Sequence, residues 1–265
     1  MARPVAELDG TPAQVAAEDR LFDGLDRPWA TLALVCVQLV AYLGVGSIPF
    51  ARGRADMLGV LFRLRGPRLL ARCGAMWSEG LDRGELWRLV SAAFLHGGWL
   101  HMLLNALALV AVGRIAEAIY GRTRMLWVFL VSAILGAAGS WVTGTLVSVG
   151  ASGGVFGLMA AVVVFGWRHP DALPDEPSRF FRWRVLPWIV GNLALGFVPP
   201  LDEVIDNAAH LGGLVGGVVL GAIVGNRLVP GGRGGRVNTW LMAAAMAVLV
   251  GAAALGVAVR WGLST

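Results

Sequence analysis

Three short strings hold the side chains able to do chemistry: HGGWLHMLLN at 96–105, GASGG at 150–154 and DNAAHLGGLVGG at 206–217. His101 and Asn105 are four residues apart and share one helix face, with His96 just upstream. Ser152 is flanked by three glycines, Gly150, Gly153 and Gly154, which let a backbone approach closely and leave amides unshielded at a helix start, where the dipole favours negative charge. His210, Gly213 and Gly217 follow i, i+3, i+7 spacing, so the imidazole lies along a glycine face that permits tight helix contact. Together the parts suit acyl transfer. An imidazole takes the proton of a serine hydroxyl, the serine attacks a carbonyl, and separate donors hold the oxyanion. Each string has a plainer reading. A lone histidine is more often a packing residue, and GASG alone is a weak motif.

The elements that must position these groups are apolar. The 265 residues are 57% hydrophobic and 15% charged, with mean hydropathy +0.68, too few charges to solvate a soluble surface. An unpaired polar group in lipid costs roughly 1–3 kcal/mol or more, so polar residues inside such runs imply a polar interior. Seven stretches approach the length of a membrane span: 29–50, 98–119, 124–145, 151–167, 184–200, 207–225 and 238–261. The fold class expected is all-α and polytopic. Arginines after the second, fourth and sixth stretches (Arg114, Arg122, Arg124; Arg168, Arg179, Arg182, Arg184; Arg227, Arg233, Arg236) put those links inside the cell. His101, Ser152 and His210 then all lie near the outer ends of their helices. One region disagrees. Residues 51–97 would lie outside yet carry Arg52, Arg54, Arg63, Arg65, Arg68, Arg72, Arg83 and Arg88, and their apolar patches imply a folded, partly membrane-dipped structure.

Other classes are excluded on residues. Net charge is +5 and all 22 basic residues are arginine, which reads as codon bias; no basic stripe with interleaved aromatics suggests nucleic acid. Cys36 and Cys73 lie far apart and suggest neither a disulfide framework nor a thiolate metal site. A zinc peptidase would need H-E-x-x-H, which is missing. An aspartyl peptidase would need two aspartates inside spans, but Asp171, Asp175, Asp202 and Asp206 fall in loops or at a helix end. His169, expected in solvent at an inner helix end, does not complete a metal site with the other histidines. No cofactor or metal is expected.

The ordered set of strings resembles the rhomboid family of intramembrane serine proteases: H-x4-H-x3-N in HGGWLHMLLN, G-x-S-G in GASG, and A-H-x2-G-x3-G in AHLGGLVGG. ELWRLV at 85–90 is similar to the family's Trp-Arg element, and Glu117 sits where the family often places an acid at the inner end of its second helix. The resemblance covers roughly 29–226. It implies Ser152 as nucleophile and His210 as general base, then acid. His101, Asn105 and the Ser152 amide would form the oxyanion hole. Gly150 and Gly153 would shape the serine turn, His96 would build the outer wall, and Phe156 would stack on His210. The segment 198–206 would be a mobile cap. Asp206 could orient His210, though a solvated helix N-cap is its plainer role.

The expected organisation is a short, flexible cytoplasmic tail at 1–28 without signal-peptide features, and a six-helix rhomboid core at 29–226 with a large external loop at 51–97. A linker at 227–237 and an appended seventh helix at 238–265 follow. The resemblance implies an intramembrane endopeptidase cleaving single-span transmembrane substrates near the outer face through a Ser–His dyad; the arginine bias and the absence of targeting signals suggest a bacterial source, and hence its inner membrane. Its rival is a non-catalytic rhomboid-like protein that binds or chaperones membrane helices. Substrate identity and oligomeric state are not legible.

Overall fold

The computed structural model describes residues 10–53, 56–174, 177, 179–199, 205–229 and 236–262. The long helices are α1 (Pro12–Leu25), α2 (Trp29–Ala51), α7 (Trp99–Tyr120), α8 (Arg122–Val142), α9 (Ser152–Arg168), α10 (Leu186–Leu195), α11 (Asn207–Ile223) and α12 (Arg236–Gly262). Between α2 and α7 lie the short helices α3 (Met57–Phe62), α4 (Pro67–Cys73), α5 (Ser78–Asp82) and α6 (Arg88–Ser91). α7 and α8 are long and apolar enough to cross a bilayer, as is the stretch Pro12–Ala51 that contains α2.

Three expectations need amending. The chain is not wholly α: β1 (Met76–Trp77) pairs antiparallel with β2 (Val147–Ser148). The fifth apolar stretch, expected over 184–200, is helical in α10 for only ten residues, after a π-helical turn at Phe180–Arg184. The N-terminal tail contains helix α1, begun by a capping box in which Thr11 and Gln14 bond each other's backbone, with Ala17 and Leu21 buried four residues apart. The expected cap, 198–206, lies largely outside the described residues.

Glycine spacing sets how α11 packs. It runs parallel to α9, and a Cβ at Gly213 or Gly217 would overlap the carbonyl of Gly153 or Gly157, while one at Gly221 would lie 2.8 Å from Ala161 Cα. Its other face meets α8 antiparallel: a Cβ at Gly139 would lie 2.8 Å from the Ala208 carbonyl, and one at Gly216 would lie 3.0 Å from Ser132 Cα. Backbones this close gain dispersion contacts that lipid cannot supply.

Glu117, near the C-terminus of α7, does what no side chain of α2 does. Pro28 provides no side-chain cap, so the Ala30 and Thr31 amides donate to the Glu117 carboxylate at 3.0 and 2.8 Å, and the Thr31 hydroxyl at 2.9 Å. The carboxylate is 3% exposed and sits on the positive end of the α2 dipole. Replacing Glu117 by alanine strands those buried donors, and thermal unfolding in detergent should show a loss of about 3 kcal/mol. An unchanged melting temperature would mean that α2 does not depend on this contact.

The described residues of 51–97 are folded. Arg88, fully buried, donates from Nη1 to the Ala71 and Ala75 carbonyls (2.6 and 3.0 Å), pairs with Glu85, and packs over the rings of Trp77 and Trp87. Arg65, also buried, stacks over Tyr42 at 3.7 Å, donates to its hydroxyl at 2.5 Å and to the Val60 carbonyl at 2.6 Å, and so ties the segment to α2. α12 lies against α6 and α8 through Met246, Leu249 and Ala253.

Candidate functional site

Ser152 is the first residue of α9. The chain reaches it along a guided path. Ser78 donates to the Thr145 carbonyl at 2.6 Å, the strand pair holds 147–148 beside 76–77, and the Gly150 amide donates to the Ala92 carbonyl at 3.0 Å. Gly150 has φ +130°, a conformation that side chains resist. A Cβ there would also stand 2.8 Å from His101 Nε2. The imidazole of His101 therefore lies directly against the turn that delivers Ser152. The first amides of α9 have no carbonyl within the helix to bond, and Ala151 supplies no side-chain cap.

His210 comes to the same end of α9 from α11. Its ring stacks on Phe156 with centroids 4.2 Å apart and planes 13° apart. Phe156 is one turn beyond Ser152 on the same helix face. Gly153 packs at the Ala209 carbonyl, and its own carbonyl meets Gly213. Residues on both sides of His210 are thus pressed against the first turn of α9. Nδ1 of His210 is buried without a hydrogen-bond partner among the described residues.

Asp206 caps α11: Oδ1 accepts from the Ala209 amide at 3.0 Å and Oδ2 from the Ser140 hydroxyl at 2.5 Å. Both oxygens are thereby engaged by the backbone and α8. The cap is half-buried, not fully solvated. Ser140 is a partner that the sequence did not point to, since a serine in an apolar span has no local signature.

Asn105 is buried, and its amide donates to the His101 carbonyl at 3.0 Å, one turn back on α7. His96 is 2% exposed, packs edge-on to His101 at 5.1 Å, and neither ring nitrogen has a partner among the described residues. The fourth histidine is elsewhere. His169 caps α9 at its far end, half-buried, 3.3 Å from the Asn226 amide nitrogen; burial and then neighbouring Arg168 hold its pKa below the usual imidazole value. No group of three His, Cys, Asp or Glu side chains suited to a metal ion occurs among the described residues.

A family model described as "Rhomboid domain" matches residues 83–227. The chain is 36% identical over 162 residues to "Rhomboid protease GlpG" of Pectobacterium atrosepticum, covering 61% of this chain and 56% of that protein. It is 34% identical over 156 residues to "Rhomboid protease GluP" of Bacillus subtilis, covering 59% and 29%. It is also 34% identical over 169 residues to "RHOMBOID-like protein 5" of Arabidopsis thaliana, covering 61% and 52%. The chain spans about half or less of the length of several of these relatives.

Proposed function

The chain belongs to the rhomboid family, and from that membership together with the arrangement around α9 we propose that it is an intramembrane serine endopeptidase. The protein is an integral, multi-pass membrane protein. The observation that carries the catalytic reading is the stack of His210 on Phe156 one turn from Ser152, with α11 pressed onto the first turn of α9.

In the proposed reaction His210 takes the proton of the Ser152 hydroxyl as the oxygen attacks a peptide carbonyl. The carbonyl becomes an oxyanion held by the Ser152 amide and by the side chains of His101 and Asn105. Collapse breaks the C–N bond, and His210 hands its proton to the leaving amine. Water, deprotonated by His210, then attacks the acyl-enzyme; breaking the ester returns Ser152 with its proton and releases the new carboxylate. Gly150 and Gly153 keep the serine turn tight, and His96 walls the site beside His101.

The substrate is a single-span transmembrane helix that unwinds near the outer face, where glycine or proline weakens it. The N-terminus is cytoplasmic, and the membrane is the inner membrane of a bacterium. The test is direct: purified protein should cut a single-span reporter in detergent or vesicles, with the new terminus near the outer end of its helix. An uncut reporter that the protein nonetheless binds would favour the rival, a helix-binding relative without catalysis.

The engagement of both Asp206 oxygens favours a dyad over a triad. Asp206→Asn retains an Oδ1 acceptor for the Ala209 amide, so cleavage should fall by less than about tenfold. A loss of about 10³-fold or more, the scale seen when a triad acid is neutralised, would make Asp206 a third member.

A further inference from the structure

The arginines of 51–97 run against the charge bias of external loops, and the structure accounts for them unequally. Arg65 and Arg88 are buried and bonded to carbonyls. Arg83 pairs with Glu79 at 3.1 Å and sits over Trp77. Arg54 lies outside the described residues. Arg52, Arg68 and Arg72 differ: all three are exposed, line one cleft of about 670 Å³, and have no hydrogen-bond or ion-pair partner among the described residues.

The cleft is built where α2 ends. Its apolar wall is Ile48 and Pro49 from the last turn of α2, with Leu69 of α4; its floor is Trp77 and Val147, paired across β1 and β2. Three guanidinium groups with no counter-charge among the described residues repel one another, so the cleft as built favours an anion. Arginine forks match phosphate oxygens bidentately. The hydrophobic wall asks for something more than a small ion.

The neighbouring surface gives the source. Met57 and Leu58 of α3, Phe62 at its end and Leu64 beyond are all more than half exposed. Large apolar side chains uncovered beside exposed arginines are the composition of a segment lying in the membrane interface. The geometry points to a binding site for an anionic phospholipid, its headgroup phosphate held by Arg52, Arg68 and Arg72 and its acyl chain along Ile48, Pro49 and Leu69. The arginines of this external loop are then neutralised partly by the protein and partly by lipid, which removes the conflict with the charge bias. The site is separate from Ser152 and does not rest on catalysis.

The test uses the full chain in neutral detergent, offered phosphatidylglycerol or phosphatidylcholine with identical acyl chains, and counts retained lipid by native mass spectrometry. The wild type should retain phosphatidylglycerol over phosphatidylcholine by about tenfold or more. The combined variant Arg52→Gln, Arg68→Gln, Arg72→Gln should lose that preference, and Arg68→Gln alone should lose part of it. Arg114→Gln, exposed on α7 away from the cleft, should keep it. The single variant covers the case in which the combined one does not fold. Equal retention of the two lipids by the wild type, or an undiminished preference in the arginine variants, overturns the proposal. Displacement of the lipid by about 10 mM inorganic phosphate would also overturn it, since the cleft would then be a site for a free anion.

Discussion

Ser152→Ala should lower cleavage of a single-span reporter by about 10⁴-fold or more while leaving the melting temperature unchanged. The substitution removes one oxygen from the first residue of α9 and puts a strong helix former in its place. Nothing in the packing of Gly153 on α11 depends on the hydroxyl. In the proposed reaction the effect belongs to the chemistry, because without the oxygen no acyl-enzyme would form and only binding and oxyanion stabilisation would remain. A 10⁴-fold loss corresponds to about 5.5 kcal/mol of transition-state stabilisation, more than a surface substitution gives to folding. His210→Asn should cost about as much, with a modest loss of stability from the broken stack on Phe156. The double variant should be no worse than either single one, since groups that act as a unit lose their effect together. Cleavage above about 1% of wild type in either single variant, or additive losses in the double, would end the assignment of this pair.

How much of this was legible depends on the range of the interaction. The strings at 96, 150 and 206 stand out because a polar residue in an apolar run is visible within a few positions. The same holds for the i, i+4 glycines at 213, 217 and 221. Gly212 and Gly216, which seat α11 on α8, belong to a second face hidden by the first: the string GGLVGG repeats on both. The capping box of α1 was present as Thr11-Pro12-Ala13-Gln14 but is a local signal in a mixed-charge stretch, and composition read as a tail. The strands β1 and β2 could not be read at all. Two residues have no period, and their partners are about seventy positions apart. Nor does any sequence pattern reveal that Ser140 would engage Asp206, or that Ala92 would hold Gly150. The residues proposed to do the chemistry are local signals; the contacts that surround them are not.

The glycine ladder gives a prediction whose sign ordinary propensity gets wrong. Within a helix, Gly→Ala stabilises by about 0.5–1 kcal/mol, because alanine loses less backbone freedom on folding. At Gly251, on an exposed part of α12 with nothing within 4 Å of the Cβ position, that rule should hold, and Gly251→Ala should raise the melting temperature slightly or leave it alone. At Gly217 the new Cβ would overlap the Gly157 carbonyl, and the obstacle is backbone, which no rotamer change can clear. Overpacking costs about 1–3 kcal/mol, which outweighs the propensity gain, so Gly217→Ala should destabilise. Gly217→Leu should do so strongly. The helices must part to admit it, and the shift is felt one turn away, where Gly213 meets Gly153, and two turns away, where His210 stacks on Phe156. A displacement of about 1 Å between reacting groups costs about 10²-fold in rate. Cleavage by Gly217→Leu should therefore fall at least that far even at temperatures where the protein remains folded, and Gly251→Leu should cleave normally. If Gly217→Leu cleaves normally, the tight contact of α9 with α11 does not position the serine and histidine, and the pairing must be held by other elements.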